Sequence, residues 1–142
     1  LMSVSIAEQE IRSIGTSLTA GHYCAWNYFQ SIDSSANQVF IQAFKQTYGM
    51  ERVTDDPIET AYSQVHLFAK AVAKAGSIEP AAIRDAALGL TFSAPGGQIY
   101  IDPVNQHTWK FSRIGQVQED GQFKIVWSSE KPIQPDPYLE FS

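Results

Sequence analysis

The chain has 142 residues, of which 44% are hydrophobic, 12% aromatic and 18% charged, and its formal net charge is −5. This length suits one ordinary globular domain, which buries roughly two-thirds of the surface that its unfolded chain exposes. The acidic balance and the lack of a basic cluster disfavour nucleic acid as a partner. No apolar run approaches the ~20 residues that a membrane helix needs.

The first predicted elements are a short strand and a helix. The chain begins abruptly, around Met2–Val4, with what looks like the end of a buried strand, so we expect a piece of a larger protein. Ser5 and Glu8 have the spacing of a capping box, in which each side chain accepts a hydrogen bond from the other residue's backbone N–H. The helix that follows is expected to run to about Ile14 and to end at Gly15.

The most informative stretch covers residues 22–33. Four aromatic side chains within eight residues predict a buried strand that runs directly into a helix. Asn27, Gln30 and the Tyr28 hydroxyl bring hydrogen-bonding groups into this segment, where each needs a partner. Small ligands often bind at the carboxyl end of a strand in α/β proteins. These groups are therefore candidate ligand contacts, although core packing is the more usual role of the residues in an aromatic strand.

Two longer helices follow this strand. The second predicted helix is capped by Asp33 or Ser34 and ends at Gly49, and the third is capped by Asp56 and ends at Gly76. Their apolar residues at helical spacing are Ala36, Phe40, Ala43, Phe44 and Tyr48 on the second helix, and Ile58, Ala61, Tyr62, Val65, Phe68, Ala69, Val72 and Ala75 on the third.

The hydrophobic period changes in the last third of the chain. After a short helix that begins at Pro80, alternating residues predict strands over 98–102, 110–117 and 122–127. The Asp120-Gly121 pair predicts the tight turn of a β-hairpin between the last two strands. Helices followed by a β-rich end predict an α/β fold, but one without the regular alternation of a complete doubly wound domain.

Catalytic chemistry has little support in the sequence. His22 and Cys24 lie at i and i+2 on one strand face, yet no glycine-rich turn or Gly-x-Ser-x-Gly elbow positions a nucleophile. His66 lies inside the third predicted helix and His107 in a polar loop, so the histidines are too scattered for a metal site. We therefore predict that the protein is not an enzyme, with no catalytic residue, no metal and no cofactor.

Seven motifs in order resemble a known family. They are Ser3–Glu8, Trp26–Asp33, Thr54–Tyr62, Ala94–Gly97, Asn105–Thr108, Asp120–Phe123 with Trp127, and Pro132–Pro137. Together they resemble the second half of a type I periplasmic-binding-protein-like solute receptor, a Venus-flytrap protein with two lobes. The most similar branch holds urea-binding components of ABC transporters and a short-chain amide sensor. The resemblance covers essentially the whole chain.

This resemblance implies an α/β fold that is part of a two-lobed receptor. Each lobe is expected to have three layers, with helices on a mostly parallel sheet, and the chain should end in a β-hairpin. Residues 1–25 would belong to the C-terminal lobe and residues 26–107 to the N-terminal lobe. Residues 108–142 would return to the C-terminal lobe with the hairpin and an extended tail. The first half of the receptor would be absent, so we expect the chain alone to bind solute weakly or not at all.

The resemblance also implies a site for a small polar solute and a hinge. Neutral planar solutes need hydroxyls, amides and backbone groups rather than buried charge. The predicted ligand-binding residues are Ser5, Tyr28, Ser3 and Asn27. The predicted hinge residues are Trp26, Asn27, Tyr28 and His107. Capping is an equally good role for Ser5, and plain core packing is an equally good role for Tyr28.

The implied function is that of a ligand-binding fragment of a receptor for urea, short-chain amides or amino acids, which feeds an ABC transporter. Its expected partners are the solute, the missing N-terminal half and either a membrane permease or a signalling domain, with a homodimer as a further candidate. The alternative is a sensory domain of a signalling protein such as a histidine kinase. The expected location is periplasmic or otherwise extracytoplasmic, and a cytoplasmic amide sensor is the other option.

Overall fold

A computed structural model describes residues 1–137, which form two β-sheets and the helices around them. The strands are β1 (Met2–Ser3), β2 (Tyr23–Trp26), β3 (Thr91–Ala94), β4 (Gly97–Ile101), β5 (Thr108–Trp109), β6 (Arg113–Val117) and β7 (Phe123–Ser128). The helices are α1 (Glu8–Ile14), α2 (Thr16–Thr19), α3 (Ser35–Tyr48), α4 (Asp56–Ala75) and α5 (Pro80–Ala87). The α/β class is confirmed. The last residues of the predicted return segment, 138–142, lie outside the described part of the chain.

The first sheet is assembled from the two ends of the described chain. Its strand order is β1-β2-β6-β7, and the predicted hairpin is formed by β6 and β7. β1 pairs with β2 in parallel, whereas β2–β6 and β6–β7 are antiparallel. The resemblance implies a mostly parallel sheet in each lobe, but among the described residues only β1 and β2 pair in parallel.

The core of the first sheet is small and aromatic. Its buried members are Ile11, Cys24, Phe29, Val117 and Phe123. The rings of Phe29 and Phe123 have centroids 4.7 Å apart. Gly115 permits this packing, because a Cβ atom there would lie 2.8 Å from Cζ of Phe29. Cys24 is a free thiol in this core, and burial raises its pKa to about 11.

The second sheet consists of β3, β4 and β5, and all its pairings are antiparallel. It is formed entirely by chain that lies between β2 and β6 in the sequence. Helix α4 packs against it through a cluster in which Leu67 contacts Ala94 and Ile99. The stretch between β2 and β6 thus carries its own sheet and its own apolar cluster.

The ends of the two long helices agree closely with the sequence signals. The Ser34 hydroxyl accepts from the Asn37 N–H at 3.2 Å and caps α3, which ends at Gly49. Helix α4 ends at Gly76, as predicted. Its cap is one residue earlier than expected, because the carboxylate of Asp55 rather than Asp56 accepts from the N–H of Ile58. This frees Asp56 for contacts elsewhere.

The predicted capping box between Ser5 and Glu8 is wrong. Helix α1 is capped at Ala7, whose N–H donates to the Glu10 carboxylate at 2.8 Å. The N–H of Ser5 donates instead to Oγ of Ser3 at 3.2 Å. Glu8 turns its carboxylate into the interior, where it is fully buried. Glu10, three residues after Ala7, supplies the carboxylate that accepts from the cap N–H, whereas alanine has no side-chain oxygen to complete a capping box.

The apolar stripe of α4 faces outward in this structure. Tyr62, Val65 and Phe68 have exposed fractions of 39%, 67% and 60%. The buried residues of α4 are Asp56, Glu59, Ser63, Leu67 and Ala71. The helix therefore buries a partly polar face, because the carboxylates on that face find hydrogen-bond donors between the two sheets.

Candidate functional site at the junction of the two sheets

Two stretches of chain connect the sheets, and they touch each other. The first covers residues 27–34, between β2 and α3, and the second covers residues 110–112, between β5 and β6. The side-chain amide of Asn27 donates to the carbonyl oxygen of Phe111 at 2.7 Å. We call this region, in which both connections meet the first turn of α4, the junction.

The peptide groups at the start of the first connection are held from both sides. The Asp56 carboxylate accepts from the N–H of Asn27 at 3.1 Å and from the N–H of Tyr28 at 2.8 Å. The Arg113 guanidinium donates to the carbonyl oxygen of Asn27. The prediction that Asn27 carries polar groups that need partners is thus met within the chain itself.

Tyr28 lies at the junction with its side chain directed into the interior. It is fully buried, and its hydroxyl donates to Oδ1 of Asn37 at 2.8 Å. The hydroxyl is also 2.8 Å from Oγ1 of Thr54, and its ring packs edge-on against Phe40. Burial holds the pKa of Tyr28 above its usual range, so the phenol stays neutral. A direct solute contact would require these hydrogen bonds to break, and the ligand-binding role of Tyr28 stays a prediction.

Replacing Tyr28 with phenylalanine is expected to lower the free energy of unfolding by about 1–3 kcal/mol, because Asn37 and Thr54 would lose a buried partner. Guanidinium chloride denaturation measures the change. Tyr48→Phe is the matched control, since Tyr48 is 65% exposed, and its effect should stay within about 0.5 kcal/mol. Equal losses in the two variants would contradict the role given to the buried hydroxyl.

A buried ion pair links the second connection to α4. Nζ of Lys110 lies 3.4 Å from Oε2 of Glu59 and donates to the Thr60 hydroxyl at 2.8 Å. The other Glu59 oxygen accepts from the Ser63 hydroxyl at 3.1 Å and from the Gly96 N–H at 3.4 Å. The Glu59 carboxylate is fully buried, so these donors replace the water that it loses on folding.

A second buried carboxylate lies beside the first connection. Oε1 of Glu8 accepts from the N–H of Gln30 at 2.7 Å. Its Oε2 is buried without a hydrogen-bond partner among the described residues. Burial raises the pKa of Glu8 to about 8, and the nearby charges of Asp55 and Asp56 act in the same direction. Glu8 is therefore largely protonated at neutral pH.

Ser3 ends β1 and Ser5 lies in the loop that follows, so two serines lie at the end of the first sheet. Ser5 is exposed and Ser3 is half-buried. The indole N–H of Trp26 donates to the carbonyl oxygen of Ile6 at 2.8 Å, which fixes the loop beside the end of β2. Because β1 and β2 are parallel, their carboxyl ends meet at this edge. The structure thus brings Ser3, Ser5 and Trp26 to one edge of the first sheet.

His107 is not part of the junction. It lies in the loop between β4 and β5, and its N–H donates to Oδ1 of Asn105 at 3.0 Å. β5 still pairs with β4 through Thr108 and Trp109, so the chain leaves the second sheet only after Trp109. The strand pairing therefore extends past His107, and the chain connects the two sheets at residues 110–112. The hinge role of His107 stays a prediction.

Sequence reasoning missed the roles of Asp56 and Arg113. Asp56 was explained by its predicted role as a helix cap. Arg113 was predicted only as part of an alternating strand, with no role of its own. One signal was present: in β6, Arg113 shares the inward-facing register with Gly115 and Val117, all three of which are buried. A charged residue at a buried strand position needs a specific partner set.

Two further features are absent from residues 1–137. No group of three or more His, Cys, Asp or Glu side chains there could hold a metal ion. Within the same range, no helix has both the length and the apolar composition needed to cross a membrane.

Comparison with known proteins gives related solved structures. A solute-binding protein of an ABC transporter from Rhodopseudomonas palustris HaA2, in complex with p-hydroxybenzoic acid, matches with a TM-score of 0.80 and 24% identity over 94% of this chain and 38% of that one. An amino acid ABC transporter substrate-binding protein from Pseudomonas fluorescens Pf-5 matches with a TM-score of 0.78 and 18% identity over 92% and 36%. A leucine-binding protein from Thermotoga maritima matches with a TM-score of 0.71 and 19% identity over 86% and 34%.

One curated relative carries an enzyme name. A protein called limonene hydroxylase from Geobacillus stearothermophilus is 37% identical over 126 residues, which is 89% of this chain but 23% of that protein. The chain thus spans less than a quarter of this relative and about a third of the solved structures. Because this chain matches only 23% of that protein, the protein's name does not assign hydroxylase activity to the matching part. The absence of enzyme activity in this chain stays a prediction.

The family comparison covers the entire sequence. The model of the periplasmic binding protein domain matches residues 1–142. The solved structures share the fold of type I periplasmic binding proteins that serve as solute-binding proteins. The chain belongs to the periplasmic binding protein domain family.

Proposed function

We propose that this chain is part of the extracytoplasmic solute-binding component of an ABC transporter. The observation that carries the proposal is the junction, where two short connections join two sheets and touch each other. Such an arrangement lets two lobes rotate about a narrow hinge and close on a ligand. The solved structures of the same fold are named as transporter proteins, which favours transport over the sensory-domain alternative.

The lobe division follows the two sheets. Residues 1–25 and the chain from β6 onward contribute to one lobe, and the stretch between them contributes to the other. The pairing of β5 with β4 supports moving the second boundary from residue 107 to just after Trp109. In this assignment Trp26, Asn27 and Tyr28 begin one hinge connection, and residues 110–112 form the other.

The missing part of the receptor is the proposed partner of the exposed face of α3 and α4. An open groove of about 420 Å³ lies on this face. Its lining residues are Phe40, Phe44, Tyr48, Ile58, Ala61, Tyr62, Val65 and His66. Apolar faces of this kind are covered in complete domains, since helices pack their apolar stripes against a sheet or another helix. The membrane permease is the second proposed partner.

The proposed solute is small, polar and uncharged, with urea and short amides as the first candidates. Ser3 and Ser5 supply hydroxyl groups at the carboxyl ends of β1 and β2, and the loop that carries them, residues 3–7, holds no charged side chain. The charges of the junction are already engaged, because Arg113 and Lys110 have partners within the chain. A neutral solute would therefore meet hydroxyl and backbone groups rather than an unpaired charge.

A thermal-shift screen of the full-length protein tests this proposal. Urea at low millimolar concentration, acetamide, leucine and 4-hydroxybenzoate are the probes, and we expect urea or acetamide to raise the Tm, because a ligand that binds only the folded state stabilises it. Ser5→Ala should weaken binding of that probe by about tenfold, as expected for one lost hydrogen bond.

Ser13→Ala is the matched control, since Ser13 is exposed and its hydroxyl donates within α1. This variant should keep the affinity of the parent protein. A shift with leucine or 4-hydroxybenzoate alone would overturn the neutral-solute proposal. Absence of any shift would overturn the receptor proposal for these solute classes.

A further inference from the structure

Arg113 contacts three separate segments of the chain. It is the first residue of β6 and is 8% exposed. Its Nη1 donates to the carbonyl oxygen of Asn27 and its Nη2 donates to the carbonyl oxygen of Gly96 at 2.7 Å. The guanidinium also lies over the Phe111 ring, 4.9 Å from the centroid. One side chain therefore joins the exit of β2, the β3–β4 turn and the connection that leads into β6.

The two residues whose carbonyl oxygens Arg113 contacts also donate their N–H groups to α4. The N–H of Asn27 donates to Asp56, and the N–H of Gly96 donates to Glu59. Asp56 and Glu59 are three residues apart on α4, so their side chains lie on one face of its first turn. The backbone of each residue is thus placed between a carboxylate of α4 and the guanidinium of β6. This arrangement positions both residues without a direct contact between the opposite charges.

The packing around this arrangement is close at one glycine. Gly97, at φ +118°, follows Gly96, and a Cβ atom on it would lie 2.8 Å from Cε2 of Phe111. The turn of the second sheet therefore packs directly on the connection into the first sheet. A planar guanidinium with two separate Nη groups can reach both carbonyls at once, whereas a lysine ammonium is a single compact charge.

We infer that Arg113 is a positioning residue that sets the resting angle between the two sheets, and through it the opening of the solute cleft. The inference rests on the proposed two-lobed receptor function. In that assignment Arg113 lies in the lobe of β6, Gly96 lies in the other lobe, and Asn27 begins one of the hinge connections. The two Nη groups of Arg113 then hold the two lobes in one relative orientation until a bound solute changes that orientation.

The test is the distance between the two sheets in the full-length protein without solute. Spin labels on Lys124→Cys in β7 and Asp85→Cys in α5 report this distance by pulsed electron spin resonance, while Cys24 stays unlabelled because it is buried. We expect Arg113→Lys to shift and broaden the distance distribution between the sheets. A second pair, Gln118→Cys with Lys124→Cys within the hairpin, should not change.

Arg52→Lys is the matched control, because Arg52 is exposed, and it should leave both distributions unchanged. Where Arg113→Lys does not fold, Phe111→Leu takes its place, since it removes the ring beneath the guanidinium and should also broaden the distance between the sheets. An unchanged distribution in the folded variant would overturn the inference. Because no solute is present, a shifted distance together with a failed solute screen would uphold the role of Arg113 and reject the receptor function alone.

Discussion

Replacing Lys110 with methionine is expected to lower the free energy of unfolding by about 3 kcal/mol, because it leaves a buried carboxylate without its counter-charge. Glu59 would retain only the Ser63 hydroxyl and the Gly96 N–H as donors. The loss should also raise the pKa of Asp56, since the charge of Lys110 now lowers it against the effect of burial. Guanidinium chloride denaturation at neutral pH measures the change.

The double variant Glu59→Gln with Lys110→Met separates the charge effect from lost packing. If the penalty comes from an unpaired buried charge, the double variant should be more stable than Lys110→Met alone. Lys124→Met is the matched control, since Lys124 is exposed on β7, and it should change stability by less than about 0.5 kcal/mol. Simple additivity of the two substitutions would show that the ion pair contributes nothing of its own.

The stability of the protein is expected to fall as the pH rises from about 5 to about 8. Burial raises the pKa of Glu8 from 4.5 to about 8, so in this window the folded state keeps a proton that the unfolded state has lost. Stability declines wherever the folded state binds more protons, and the loss is complete above the folded-state pKa. The upper limit of the effect is on the order of 4 kcal/mol. Asp55 and Asp56, whose pKa values burial also raises, act with the same sign from a lower pH.

Glu8→Gln should remove most of this pH dependence, because glutamine keeps an oxygen for the Gln30 N–H and carries no charge. The measurement is the free energy of unfolding between pH 5 and 9, obtained by guanidinium chloride denaturation. Glu51→Gln, at an exposed position, is the matched control and should follow the parent protein. Parallel curves for the parent protein and Glu8→Gln would contradict a protonated Glu8 in the folded state.

Local signals predicted the local structure well. The ends of α3 at Gly49 and of α4 at Gly76 followed from glycines that close helices, and the hairpin followed from Asp120-Gly121. Each of these features depends on residues close together in the sequence. The short elements α2, β3 and β5 were missed, because two to four residues carry too little periodicity to be recognised.

The junction could not be predicted, because its contacts join residues that are far apart in the sequence. Asn27 and Phe111 are 84 positions apart, and Arg113 and Asn27 are 86. Asp56 looked like a helix cap, and that role went to its neighbour Asp55. Periodicity also located the apolar stripe of α4 without indicating that it would be exposed in this chain.

The position of β2 between β1 and β6 limits the order in which the two sheets can form. Tyr23 in β2 pairs with Gln116 in β6, and the two residues are 93 positions apart. The entropy of closing so large a loop is lost before the pairing contributes any stability. The stretch between them carries its own sheet, helices and apolar cluster, so it can form early and shorten that loop. We therefore expect the first sheet to be completed last, only after β6 has become available.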